Sequence, residues 1–394
     1  MRKPRLSLVC FAHELRDAGV NYRTLRHRDL VTRSPAGFVP VADAAVPIAE
    51  IVEHNLMVAY RTLDLCIRDG IQGLRLSASM FPLMSHPEFD GLTFDDLMVL
   101  RPAIRILLDA IGSRAGTHNV RLSYHANHYT SLTAAKPATL DASRRDLEIL
   151  GRSLDLMGAP RTPEAPINLH IRGEGKGMRD AMLDTFCEQF HLLSESVRSR
   201  LVVEQNDNAD GLWSLATLAE TVHEKLGVPL TYDHLHQRIL PGGLSPKEAF
   251  LLAYETWPCE PLFHYAEGAS SLFDPKHAEM PTALPPEFCD LPVTWEVEFK
   301  GKERAVHWLQ KTSRLPLRSS VDDMLLMEAA RVGKEFTSAT LAGYKAALHG
   351  RFPDGMGETV KTITSTRLEP EVPRFDLTKY VGEFKWENGG PSLF

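Results

Sequence analysis

Cysteine is scarce in this chain. The five present (Cys10, Cys66, Cys187, Cys259, Cys289) are odd in number, widely scattered and never spaced as CxxC, which leaves no basis for a disulfide framework or a cysteine-rich zinc site. Long apolar runs are also missing: none reaches the roughly 18 residues that a membrane-crossing helix needs. The basic start MRKPRLSLVCFAHELRDAG runs into a short strand pattern without the h-region of a secretory signal. These absences predict a soluble protein of a reducing cytoplasm with no membrane contact. An excess of positive charge is lacking as well. Lys and Arg number 44 against 51 Asp and Glu, giving a formal net charge of -7 and an isoelectric point near 6.2. Binding to nucleic acid therefore cannot rest on global attraction and needs a local basic patch or metal ions facing the phosphates. There is no internal repeat, no low-complexity tract and no sign of an obligate protein partner.

What is present is a globular composition, 43% hydrophobic and 24% charged over 394 residues, enough to bury one large core plus appendages. Eight short runs rich in β-branched and aliphatic residues read as strands: RLSLVCFA (5–12), GLRLSAS (73–79), VRLSYHAN (120–127), INLHIRG (167–173), RLVVEQND (200–207), VPLTYDHLH (228–236), PLFHYAEG (261–268) and VTWEVEF (293–299). Between them lie segments such as PIAEIVEHNLMVAYRTLDLCIRDG and DASRRDLEILGRSLDLMG, with apolar residues at helical spacing and a glycine near the end. Strand and helix alternate, which predicts an α/β fold, a (β/α)8 TIM barrel over residues 1–312 whose functional site occupies the C-terminal strand ends. Residues 313–394 break this rhythm and read as a helical and irregular C-terminal extension.

Histidines and acids gather at the same end of these strands. His125 ends the third, His170 the fourth, Glu204 the fifth, Asp233 and His236 the sixth, His264 the seventh and Glu298 the eighth, with His277 in the loop after the seventh. One such residue alone would read as a hydrogen-bonded structural group. Eight at one barrel mouth are different, because clustered buried carboxylates cost several kcal/mol unless divalent metal supplies the opposing charge. Carboxylate oxygen with imidazole nitrogen and no thiolate suits Zn, Mn or Fe. Strand alternation aims Asp233 into the mouth, brings His236 in from the following turn and turns His234 elsewhere. Glu296 and Glu298 share one face of the last strand, so either could ligate on spacing alone. Arg172, Lys176, Arg179, Lys300 and Lys302 near the strand ends could form a phosphate track or simply a solvated face.

The constellation resembles the UV damage endonuclease family, related to endonuclease IV among the xylose-isomerase-like barrels, over roughly residues 5–312. It is carried by RLSASMFPLMSH ending in His86, RLSYHANHY with His125 and Tyr129, INLHIRG with His170, LVVEQND with Glu204 and YDHLH with Asp233 and His236. FHYAEG with His264, KHAEM with His277 and EVEFKGKERA with Glu298 complete it. The resemblance implies a metal-dependent DNA-repair nuclease that cuts the phosphodiester bond on the 5' side of UV or other lesions in duplex DNA, an excision-initiating step. It implies two to three divalent ions, Mn or Zn, with Fe, Co or Mg as other candidates. His125, His170 and Glu204 would hold one ion, Glu204, Asp233, His264 and Glu298 a second, while His236 and His277 would start a third. By family position Glu298 is the ligand rather than Glu296. Glu204, Glu298 and His86 are the expected catalytic residues, His86 as a phosphate contact or supporting group. His128, Tyr129, Arg172 and Lys176 are the expected DNA contacts, with Tyr129 a candidate wedge whose ring could stack on unpaired bases or merely line the rim.

The chain also departs from the family pattern. Ser7 and Leu8 stand where the family has Gly-Tyr, Ala12 where it has Asn, and His128 where a Gln precedes the tyrosine. Leu262 stands where the family has a modified lysine near the metals. Two other readings therefore accompany the nuclease: a metal-dependent sugar or sugar-phosphate isomerase or epimerase on the same barrel, and a DNA-damage binder with reduced catalysis.

Overall fold

A computed structural model describes residues 5–35, 37–171, 178–207, 213–284 and 291–313. Arg172 and Lys176, expected to touch DNA, lie outside the described residues, as does the expected extension from residue 314 onward.

The eight apolar runs form eight parallel strands: β1 (Arg5–Val9), β2 (Gly73–Leu76), β3 (Arg121–His125), β4 (Ile167–His170), β5 (Leu201–Glu204), β6 (Leu230–Thr231), β7 (Leu262–Tyr265) and β8 (Thr294–Val297). Each pairs with its sequence neighbour, and β1 pairs with β8. The remaining seam, β6 to β7, closes through a bridge between Asp233 and His264 and a 2.9 Å bond from the His264 amide to the Tyr232 carbonyl. The sheet is thus a closed (β/α)8 barrel. One parity of the strands faces the helices and is apolar throughout, as in Leu6, Leu74, Leu122, Leu169, Val203, Phe263 and Trp295, all buried. The other parity faces the barrel axis.

Helices follow the strands as the periodicity predicts. α1 (Ala45–Arg68) buries Ile48, Val52, Leu56, Ala59, Leu63 and Cys66, a stripe at three- and four-residue steps that lies on the barrel. α2 (Ala103–Thr117) and α3 (Pro137–Leu156) pack so closely that a Cβ on Gly112 would lie 1.6 Å from the Met157 carbonyl oxygen. α4 (Arg179–Leu192), α5 (His234–Ile239), α6 (Pro246–Glu255) and α7 (Glu303–Thr312) continue around the barrel.

The strands are shorter than the sequence suggests, because polar side chains at their C-terminal ends start turns. In LTYDHLHQ the strand stops at Thr231, and Asp233 becomes the N-cap of α5, its Oδ1 accepting the His236 amide at 2.7 Å. In GLRLSAS the strand stops at Leu76, where Ser77 caps a 3-10 turn. A further element went unread: between β1 and α1 the chain forms an antiparallel hairpin, Val31–Ser34 with Gly37–Pro40, leaving Phe38 and Val39 exposed. Its strands are too short and too exposed to carry an alternating pattern.

Candidate metal centre

The inward parity of this barrel is largely polar, with Val202 and Leu262 as aliphatic members. Ser7, Arg75, Ser123, Asn168, Glu204, Thr231, Asp233, His264, Thr294 and Glu296 are all buried, and most of them alternate with the apolar outward residues. Gly73 makes room among them, since a Cβ there would lie 2.6 Å from that of Ser7. Toward the C-terminal ends of the strands the polar lining becomes a cluster of titratable groups.

Glu204, 1% exposed, is the hub. Its Oε2 faces His125 Nε2 at 3.1 Å, His170 Nε2 at 3.6 Å and His264 Nδ1 at 3.0 Å, and Asn168 Nδ2 donates to it. Its Oε1 faces His236 Nδ1 at 3.1 Å. The parallel register makes this possible by setting His170 directly beside Glu204 on adjacent strands. His264 connects the hub to the last strands: its Nδ1 lies 3.9 Å from Asp233 Oδ2 and 3.4 Å from Glu298 Oε1, and its Nε2 lies 3.2 Å from Glu296 Oε2. Three sets of side chains bring ligand atoms within 4.8 Å of one another: His125, His170 and Glu204; Glu204, Asp233 and His236; Asp233, His264 and Glu298.

Electrostatics account for the charge states. Burial alone would raise the Glu204 carboxyl, but His170, His264, His125 and His236 hold it well below the usual carboxylate range. Burial likewise opposes ionisation of Glu298, yet Arg75, His264 and His277 draw it down. Asp233 is the exception: burial, with Glu204 and Glu298 nearby, raises it. Burial also disfavours charge on His236, which Asp233 and Glu204 outweigh, pushing it up to about 10.

These residues fit divalent cations on their own geometry. Asp233 Oδ2 and both ring nitrogens of His264 are buried, and although Glu204, Glu298 and Glu296 face those nitrogens, none of the three atoms meets hydrogen-bond geometry, a cost of about 1–3 kcal/mol per unsatisfied group unless a cation stands between them. His125 Nδ1 lies 2.9 Å from the Ala126 carbonyl. Donating there leaves Nε2 as a lone pair aimed at a carboxylate oxygen, an arrangement that a cation between them stabilises.

The other expected site residues fall into two groups. His277 lies 3.8 Å from Glu298 Oε2, and His236 sits with Glu204 and Asp233. Helix α5 turns the His236 ring back over the Gln205 carbonyl, 3.0 Å from Nδ1. Tyr129 is exposed on the loop after β3, its hydroxyl accepting from Asn127 Nδ2 at 2.8 Å, with His128 edge-on to its ring. His86 pairs with Glu88 and packs against His27, on the loops after β2 and β1. His234 is buried against Tyr265 as alternation predicts. Sequence reasoning passed over Arg75, Asn168 and Ser123. The signal was there: each is a polar residue within an apolar strand, on the same parity as the ligands.

Comparison with known proteins gives a consistent match. The family description "UV-endonuclease UvdE" matches residues 4–329. The chain is 29% identical over 316 residues to a "UV DNA damage endonuclease" of Nostoc sp., covering 78% of this chain and 90% of that protein. It is 27% identical over 301 residues to a "UV-damage endonuclease" of Schizosaccharomyces pombe, covering 72% of this chain but 47% of that longer protein. Among solved structures, SacUVDE superposes with a TM-score of 0.64 at 23% identity, covering 79% of this chain and 100% of that one, which supports the barrel fold.

Proposed function

The chain belongs to the UV-endonuclease UvdE family, and from that membership and the polar barrel mouth we propose that it is a metal-dependent endonuclease cutting duplex DNA on the 5' side of UV lesions. Membership favours the nuclease over the isomerase and the passive damage binder. The observation that carries the metal dependence is the convergence of His125, His170 and His264 on one oxygen of Glu204. A cytoplasmic setting belongs to the same reading, as expected of an enzyme that acts on DNA.

Divalent ions held by these residues would supply Lewis acidity toward a phosphate and acidify a water molecule toward neutral pH. The chain's own groups do the rest. Glu204 links the His125–His170 pair to the Asp233–His264–Glu298 set, fixing the spacing between them. Asn168 donates to Glu204 and keeps its carboxylate oriented. Glu296 holds His264 from behind at Nε2, so that Nδ1 stays aimed at the acids. Arg75 balances Glu296 and Glu298 in the barrel interior. Tyr129, at the rim and 59% exposed, is free to stack on a displaced base, with His128 beside it. Arg172 and Lys176 remain proposed phosphate contacts.

The test is nicking of a labelled duplex carrying one UV photoproduct, with Mn present, against the same duplex undamaged. Cleavage should be lesion-dependent and on the 5' side, Glu204→Gln should abolish it, and Tyr129→Ala should erode the preference for damage. Equal cleavage of both duplexes, or full activity in Glu204→Gln, would defeat the proposal.

A further inference from the structure

Outside the barrel cluster, one other group of side chains is built like a ligand set. His27, in the segment after β1, and His86 and Glu88, in the segment after β2, bring ligand atoms within 4.8 Å of one another. His27 Nε2 lies 3.6 Å from Glu88 Oε2, and His86 Nδ1 meets the same oxygen. These three atoms, His27 Nε2, His86 Nδ1 and Glu88 Oε2, are all buried, and none satisfies hydrogen-bond geometry. The residues that own them remain partly accessible, with side chains 29%, 35% and 24% exposed, so an ion could enter. Aromatic neighbours confine the rings: Phe38 and Phe89 stand edge-on to His27 at 5.8 and 6.3 Å, and the two imidazoles lie tilted by 31° with centroids 4.1 Å apart.

We infer that His27, His86 and Glu88 form a second divalent-metal site, of the zinc class, that clips the loop after β1 to the loop after β2. Ligands about 2.0–2.2 Å from a tetrahedral ion stand roughly 3.3–3.6 Å apart, which is the separation of His27 Nε2 and Glu88 Oε2, whereas His86 Nδ1 and Glu88 Oε2 stand closer and must part to admit the ion. Two imidazoles and one carboxylate are a donor set that binds zinc with one position left open. A bare ion pair explains less: it would use one nitrogen and leave His27 Nε2 buried and unsatisfied. The site shares no residue with the barrel cluster, and the inference stands whether or not the chain cuts damaged DNA.

The experiment is elemental analysis of the full-length chain loaded with Zn and dialysed, beside Glu88→Gln and His27→Ala treated identically. Each variant should hold one Zn per chain fewer, whereas Asp233→Asn should keep this ion while losing barrel metal. Hydrogen exchange over residues 27–40 should slow on adding Zn to the unmodified chain and stay unchanged in Glu88→Gln, a substitution of equal size at a partly exposed side chain. Identical Zn content in the unmodified chain and Glu88→Gln, or exchange indifferent to Zn, would overturn the site.

Discussion

Arg75 and Glu298 meet inside the barrel, although 223 positions separate them in the chain. The same guanidinium reaches Glu296 Oε2 at 3.1 Å, and the Arg75 side chain is only 7% exposed. It is the cation in direct contact with both acids, so it governs what the centre costs when metal is removed. Arg75→Met should leave two buried carboxylates without it and destabilise the metal-free protein by about 3–5 kcal/mol. Saturating Zn or Mn should recover much of that loss, because ligand that binds only the folded state adds stability by mass action. Denaturant midpoints with and without metal check this. An equal loss in both conditions would show that Arg75 serves packing rather than charge balance.

Glu296 and Glu298 can be told apart by what they touch. Glu298 joins Asp233 and His264 in a ligand set, whereas Glu296 accepts from Ser123 and holds His264 Nε2. Glu298→Gln should therefore lose a metal outright. Glu296→Gln should keep full occupancy at high metal while weakening affinity about 10–100-fold, the usual effect of removing a carboxylate behind a ligand histidine. Metal titrations of the two variants decide it, and indistinguishable curves would refute the division of labour.

Most of the fold was legible because both periodicities are strong: the outward strand residues are uniformly apolar, and helices such as Ala45–Arg68 carry one continuous stripe. The candidate ligand cluster was legible because histidines and acids recur at strand ends, a place where a structural role alone explains them poorly. What escaped depends on contacts between distant segments. Spacing left Glu296 and Glu298 equivalent, and only their partners Ser123, Arg75 and His264 separate them. His27 and Glu88 lie in loops with no periodic signal, and they meet His86 only once β1 and β2 are side by side. The hairpin after β1 has too few residues per strand for its pattern to stand out.

Protons and metal should compete at the centre. His236 is held up to about 10 by Asp233 and Glu204 against burial, and His264 is raised by Glu204 and Glu298 against the same opposition. A histidine raised in the fold adds stability in full below its ordinary value near 6.5, and that stability is lost as pH climbs through the folded value. Lowered carboxyls such as Glu204 and Glu298 act the other way: their stability is present above the ordinary value near 4.5 and is lost as pH falls. The metal-free chain should thus be most stable between these limits, and metal uptake should release protons and tighten as pH rises from 6.5 toward 10. Calorimetric titration in two buffers of different ionisation enthalpy measures the release. Uptake without proton release across that range would contradict the assignment.

The number of ions the barrel retains should depend on Leu262. It sits two residues before His264 on β7, buried and on the same inward parity, in register with Thr294. Four carboxylates (Glu204, Asp233, Glu296, Glu298) and one guanidinium (Arg75) give the interior a formal charge of -4 + 1 = -3. Two divalent ions bring this to +1, and a third would bring it to +3, which Asp207, the further acid acting on His236, offsets only in part. The third set, Glu204, Asp233 and His236, must also share both of its acids with the other two. Leucine can supply neither charge nor oxygen, whereas a carboxylated lysine would supply both. In a Glu88→Gln background, which removes the loop ion from the count, extensive dialysis should leave two metals per chain, and cleavage should rise when Mn is added back. Leu262→Lys, dialysed in bicarbonate buffer so that the amine can be carboxylated, should retain a third. Three metals retained by the barrel with Leu262 in place would show that neutral ligands suffice and that charge balance does not set the stoichiometry.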